Sequence, residues 1–247
     1  MSHDLLYEVH DGVATVTLNR PDVLNALTFD RVRVVVLTGA GRGFCSGGDV
    51  HQIIGELLRR DMRAHLEFTR MTGAVVRNMR LLEKPIVAAV NGMAAGAGAV
   101  LALAADLRLA SDRARFAFLF TRVGLAGADM GAAYLLPRAV GMGRATELLM
   151  LGDTIDAATA ERYGLVNRVV PHDELAGTAA EWARRLAAGP ALALGLTKRM
   201  LVAEESMDLV TALEAEAQAQ ALLLMGEDHR LFYEAFRREA QPKFTGR

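Results

Sequence analysis

The chain has 247 residues, room for one large domain or a domain with an appendage. Its 52% hydrophobic content and formal net charge of -1 exclude wholesale disorder and give no electrostatic case for a nucleic-acid partner. One cysteine, Cys45, excludes an internal disulfide framework, and the six histidines are scattered, with no close pair of the zinc-helix kind. The opening MSHDLLYEV lacks the basic and apolar regions of a secretory signal, and charged residues break every apolar run before it reaches membrane-spanning length. A cytoplasmic protein without metal or membrane partner is therefore the expectation.

Leu5–Val9 and Val13–Leu18 alternate in polarity around Asp11-Gly12, which predicts a hairpin. Pro21 ends the second strand, and Asn25-Ala26-Leu27 opens a helical pattern that stops at once. Arg33–Thr38 reads as a buried strand, followed by a glycine-rich loop and Phe44-Cys45-Ser46-Gly47-Gly48-Asp49. Val50–Leu82 is mainly helical in pattern, Pro85 stops it, and Ile86–Val90 re-enters a sheet. Arg115–Phe120 is a further apolar segment. Met130–Leu136 and Gly143–Leu151 predict helices separated by Pro137-Arg138 and Gly141, and Asp156–Arg162 leads to Val166-Asn167-Arg168-Val169-Val170. From Asp173 the chain is helical in pattern over Trp182–Ala188, Pro190–Ala203, Ser206–Met225 and Glu227–Arg238. Buried-type strands alternating with helices predict a layered α/β core.

Two stretches invite chemistry. Val87–Ala110 reads as a strand, a turn of small residues, a helix from about Ala97 and a second strand. Gly92, Gly96 and Gly98 let backbone pass close to a neighbour, and the first N–H groups of the helix point back into the turn. Gly47-Gly48 before Asp49 is a second place where backbone can approach a ligand. Each is equally a tight connection or an ordinary helix cap. Asp129, among small and apolar residues, is a candidate acid or base and equally a cap for the helix that follows.

Taken together, Asn19-Arg20-Pro21, Leu24–Leu27, Val35–Gly39, Phe44–Asp49, Lys84-Pro85, Val90-Asn91-Gly92, Leu101–Asp106, Leu135-Leu136-Pro137-Arg138, Ala157–Val166 and the final AFRREAQPKF resemble the enoyl-CoA hydratase/isomerase, or crotonase, superfamily. The resemblance covers almost the whole chain. It implies an α/β fold, a crotonase-like spiral of ββα units over residues 1–188, and a C-terminal helical region over 189–247 that builds trimers or dimers of trimers. It also implies an acyl-CoA thioester substrate, with coenzyme A as part of that substrate and no separate cofactor. The thioester oxygen would take the backbone N–H groups of Gly48 and Ala97. Such fixed donors stabilise the charge that builds on the oxygen in an enolate-like transition state, at about 2.7–4 kcal/mol for one donor in a protease. Contacts to the CoA moiety would come from Arg20, Asp22 and Val23, from Gly47, Asp49 and Val50, and from Lys243 and Phe244 of the tail.

The chain departs from the pattern in three places. By spacing, the two glutamates that handle water in the hydratases fall at Val100 and Phe120, and neither can move a proton. Asp129, nine residues before Arg138, matches the aspartate of phenylacetate-degradation-type isomerases, although Met130 follows where a small residue is usual. Phe120 and Met130 would then border the acyl pocket. One carboxylate suits isomerisation of a double bond or an epoxide ring, since it can take a proton from one carbon and return it to another. A hydratase with a non-standard acid/base and a non-catalytic acyl-CoA-binding or assembly protein are the alternatives. Lastly, the family has a helix of some twenty residues between Leu27 and Arg33, where only Thr28–Val32 stand. At about 1.5 Å per residue so short a span cannot hold it, and Asn25-Ala26-Leu27 reads as a helix start whose body is cut away.

Overall fold

The computed structural model describes residues 5–10, 13–18, 32–49 and 55–246. The chain divides into two compact units, Met1–Val32 and Arg33–Arg247. In the first, β1 (Leu5–His10) and β2 (Val13–Leu18) pair antiparallel, with Leu5 opposite Leu18 and His10 opposite Val13, as the Asp11-Gly12 signal requires. Arg20, Asp22, Val23 and Val50, and the helix start at Asn25–Leu27, lie outside the described residues.

The second unit is built from repeats of two strands and a helix. β3 (Val35–Thr38), β5 (Ile86–Val90), β7 (Leu107–Ser111) and β10 (Arg168–Val170) form a parallel sheet in the order β10-β7-β5-β3. β4 (Gly43–Cys45), β6 (Met93–Ala95), β8 (Arg115–Ala117) and β9 (Thr154–Asp156) form the second sheet in that order, parallel except for β8 and β9. Each successive pair of strands gives one member to each sheet, so the chain winds as a spiral. The five residues of β5 are all buried, which is why that strand reads as a continuous apolar run rather than an alternation.

The structure corrects several boundaries. The long helical pattern after Val50 is two helices, α1 (Gly55–Leu57) and α2 (Met62–Leu81), because Asp61 caps the second by accepting the Ala64 N–H at 2.8 Å. The small-residue turn after Val90 contains strand β6, and the chain reaches α3 (Ala97–Ala104) directly from it. Arg115–Phe120 is β8 followed by a 3-10 turn, Leu119–Val123. The helix expected at Met130 starts later and passes through Pro137 as α4 (Ala132–Val140). Burial of Leu135, Leu136 and Val140 offsets the hydrogen bond that proline removes. α5 (Met142–Leu151), α6 (Ala157–Tyr163), α7 (Leu175–Ala187), α8 (Ala191–Ala203), α9 (Leu209–Leu224) and α10 (Glu227–Arg237) complete the chain.

The main core cluster joins α2, both sheets, α3 and α4 through residues such as Val76, Val90, Val100, Phe116, Phe118 and Leu136. A buried charge ties α8 to it. Lys198, only 6% exposed, places its ammonium 2.8 Å from Asp106 Oδ2, 2.8 Å from the Met79 carbonyl and 3.0 Å from the Lys84 carbonyl. All three ammonium donors are thereby used. Asp106 also accepts the Ile86 N–H at 2.7 Å, so the pair fixes where β5 begins. Lys198→Met is expected to destabilise the protein by about 3 kcal/mol in urea denaturation, because two carbonyls lose their partner and Asp106 keeps only the Ile86 N–H and Arg80 at 3.9 Å.

Candidate active site

The site is assembled from glycines that let three segments of backbone converge. A side chain on Gly98 would stand 2.0 Å from the Cys45 carbonyl oxygen, and one on Gly92 2.0 Å from that of Arg42. Both contacts are with backbone, so only glycine permits the strand to lie there. The end of β4 is thereby pressed against the start of α3. Gly47, at φ +92°, is the next contact: a Cβ there would be 3.1 Å from the Ala95 oxygen and 3.4 Å from the Ala97 nitrogen. Asn91, itself buried, staples the loop before β4. Its amide donates to the Gly41 and Gly43 carbonyls at 3.0 and 3.2 Å and its oxygen accepts the Gly39 N–H at 3.2 Å.

Of the expected oxyanion donors, Ala97 is the first residue of α3, where an N–H has no carbonyl one turn back to bond. Residues 94–96 and 98–100 on either side of it are buried, whereas Ala97 is partly open and Gly48 is exposed. Gly96 reaches the helix at φ 52°, ψ -122°, and only the Phe120 ring edge, at 4.0 Å, faces the space a side chain there would take. The far end of α3 is held by Arg108, whose guanidinium donates to the Ala105 carbonyl at 2.6 Å, the Leu103 carbonyl at 3.3 Å and the Leu165 carbonyl at 2.6 Å. Burial draws that guanidinium below its ordinary pKa, as does nearby Arg80, while Asp106 opposes the shift.

Val100 is fully buried and Phe120 is 6% exposed, both within the main apolar cluster. Asp129 is partly buried and stands just ahead of α4, which packs on α3. It does not cap that helix. The N-cap of α4 is Gly131, without a side-chain bond, and the Asp129 carboxylate instead accepts the Met130 N–H at 2.9 Å. The Asp129 carbonyl accepts the Ala132 N–H at 2.8 Å across a turn whose two central residues, Met130 at φ 49° and Gly131 at φ 90°, are both left-handed. That is the type I′ geometry, which normally selects small residues, and a non-glycine residue in it costs on the order of 1–3 kcal/mol.

The remaining candidates are dispersed. Asp49 is exposed. Phe244 lies in a groove of about 310 Å³ between α8, α9 and α10, beside Leu192, Leu223 and Phe232, and Lys243 is exposed. The tail is pinned there by buried Asp228, whose carboxylate accepts the N–H groups of Thr245 at 2.6 Å and Gly246 at 2.9 Å. Among the described residues no group of three or more His, Cys, Asp or Glu could hold a metal ion, and no single helix is long and apolar enough to cross a membrane. Sequence reasoning missed the roles of Asn91, Arg108 and Lys198. Their partners are mostly backbone carbonyls, which leave no trace in residue types.

A family model described as enoyl-CoA hydratase/isomerase matches residues 8–247. The chain belongs to that family. It is 37% identical to the 1,2-epoxyphenylacetyl-CoA isomerase of Escherichia coli (strain K12), with 100% of both chains covered. It is 38% identical to a protein of Rhodobacter capsulatus named as a probable enoyl-CoA hydratase, with 99% of both covered. A solved structure from Streptomyces coelicolor A3(2), assigned as an enoyl-CoA hydratase, superposes with a TM-score of 0.86 at 55% identity, covering 100% of this chain and 96% of that one. The fold is thus the crotonase fold with its C-terminal helical region, and the protein is an acyl-CoA-processing enzyme of the hydratase/isomerase type. The alignment with the E. coli relative spans 263 positions against 247 residues here, so that relative carries residues without a counterpart in this chain.

Proposed function

We propose that the enzyme isomerises an unsaturated or epoxide-bearing acyl-CoA, with Asp129 as the proton shuttle and the N–H groups of Gly48 and Ala97 as the oxyanion hole. One observation carries this reading: the two positions where a hydratase holds its glutamates are Val100 and Phe120, closed into the apolar cluster. Asp129 is then the carboxylate left at a position the family uses. With a 3-enoyl thioester, the Asp129 carboxylate takes a proton from C2 and the electron pair moves onto the thioester oxygen, where two N–H donors hold it. The same proton is returned to C4, and the double bond moves from C3=C4 to C2=C3. Nothing enters or leaves, so no redox partner and no water is consumed. Isomerisation of an epoxide-bearing thioester, the reaction named for the E. coli relative, is the other substrate class the same oxyanion hole would serve.

Coenzyme A would be held as part of the substrate by Arg20, Asp22, Val23, Gly47, Asp49 and Val50, with the Lys243-Phe244 tail over it. Phe120 and Met130 would border the acyl group. In this reading residues 1–188 form the spiral core and 189–247 the assembly region. α9 presents Leu209, Val210 and Leu213 to solvent on one side, at 55–76% exposure, and a trimer or a dimer of trimers in the cytoplasm would cover such a face.

Incubation with trans-3-hexenoyl-CoA is the test. The expected product is the trans-2 isomer, read by the absorbance of the conjugated thioester, with no 3-hydroxyacyl-CoA formed from crotonyl-CoA. Efficient hydration of crotonyl-CoA with no isomerisation of the 3-enoyl substrate would overturn the reading in favour of a hydratase.

A further inference from the structure

We propose that Met130 is the positioning residue of Asp129: its N–H holds the carboxylate, and its side chain locks the left-handed turn that follows Asp129 against the core. The inference rests on the reading of Asp129 as the proton shuttle. Among the described residues only Met130 and Glu239 are non-glycine residues at positive φ, 49° and 51°. Glu239 needs no special account. It follows the C-terminus of α10, where the Ala240 N–H returns to the Ala235 carbonyl at 3.0 Å, an ordinary left-handed helix ending. Met130 stands ahead of a helix rather than behind one, and glycine would adopt its conformation without strain. A long side chain kept at such a position has a use elsewhere.

Two features supply that use. The Met130 N–H donates to Asp129 Oδ1 at 2.9 Å, which fixes the rotation of the carboxylate and leaves Oδ2 without that bond. The Met130 side chain is half-buried against the cluster that contains Val76, Val100 and Phe120, and it borders a groove of about 450 Å³ along α2 and α4, beside Gly73, Val76 and Tyr134. The neighbouring Gly131 reaches the same helix, since a Cβ on it would lie 3.8 Å from Val76 Cγ1. The turn is therefore anchored on the core cluster by the residue that also holds the carboxylate. With glycine at 130 the Asp129 carbonyl still closes the turn onto the Ala132 N–H, but the packing that ties the turn to the core is gone, and the hydrogen bond to the carboxylate becomes intermittent.

Steady-state kinetics with trans-3-hexenoyl-CoA on the full chain tests this, using Met130→Gly, Met130→Ala and Met130→Leu alone and Met130→Gly combined with Asp129→Asn. Met130→Gly and Met130→Ala are expected to lower kcat tenfold or more at saturating substrate, beyond any rise in KM from the lost acyl contact, with the melting temperature within a few degrees of the parent. Met130→Leu, which restores the bulk, should recover kcat to within threefold. In the Asp129→Asn background Met130→Gly should change nothing further, because the two residues act as one unit. Parental kcat in Met130→Gly, a further tenfold loss in the double variant, or a kcat loss that tracks a collapse in melting temperature would each overturn the assignment. Full turnover by Asp129→Asn alone would instead remove the reading on which it rests.

Discussion

Asp129→Asn is expected to lower kcat by about 10²–10⁴-fold, the range a positioned acid or base contributes, and to leave the fold and thioester binding in place. The substitution is close to isosteric. An amide oxygen can still accept the Met130 N–H that now reaches Oδ1 at 2.9 Å, and the Asp129 carbonyl still closes the turn onto the Ala132 N–H at 2.8 Å. The peptides of Gly48 and Ala97 are untouched, so the proposed electron sink survives. What disappears is a group able to accept the C2 proton and hand it back. Steady-state kcat and KM with trans-3-hexenoyl-CoA, alongside calorimetric binding of a saturated acyl-CoA, separate these effects. Turnover at the parental rate would remove Asp129 from the mechanism.

Gly98→Ala carries the second large effect, although it adds only one methyl group. The new Cβ would lie 2.0 Å from the Cys45 oxygen and 2.7 Å from both its carbonyl carbon and its Cβ. Backbone on both sides must move, since no flexible side chain can give way. Overpacking of this kind costs about 1–3 kcal/mol, occasionally more. The activity loss should be larger than the stability loss implies. Cys45 leads directly to Gly47 and Gly48, Gly98 directly follows Ala97, and a misplacement of about 1 Å between catalytic groups can cost on the order of 10²-fold. Gly73→Ala is the control: nothing lies within 4 Å of the added Cβ in the middle of α2. There alanine should stabilise the helix by about 0.8–1 kcal/mol and leave kcat unchanged. Thermal melts and initial rates on the two variants, measured side by side, decide the matter. A Gly98→Ala enzyme with parental kcat would show that the junction of β4 and α3 does not set the geometry of the site.

Much of the fold was legible because it rests on local pattern. The Asp11-Gly12 hairpin, the continuous apolar run of β5 and the helical periods of the last third each follow from residue types a few positions apart. Short strands were not legible. β4, β6 and β9 have three residues each, too few to display an alternation, and they exist because a neighbouring strand supplies the ladder. Pro137 misled for the reverse reason. A helix breaker by intrinsic preference, it is carried through α4 by the burial of Leu135, Leu136 and Val140.

The sequence by itself determined the family, the class of substrate and the absence of glutamate at Val100 and Phe120, since these depend on which residues stand at which spacing. It also marked Gly92 and Gly98 as places of close approach, because only a missing side chain allows one. The tertiary structure alone decided what approaches them, the carbonyls of Arg42 and Cys45. It also decided that Lys198 closes onto Asp106 and that Asp129 is held by its neighbour rather than capping a helix. The physical reason is common to all of these. Hydrogen bonds to backbone and the sign of a φ angle belong to the folded path of the chain, and a side-chain sequence does not encode them residue by residue. Met130 shows the limit: its side chain predicts nothing left-handed, and only the turn into α4 makes it so.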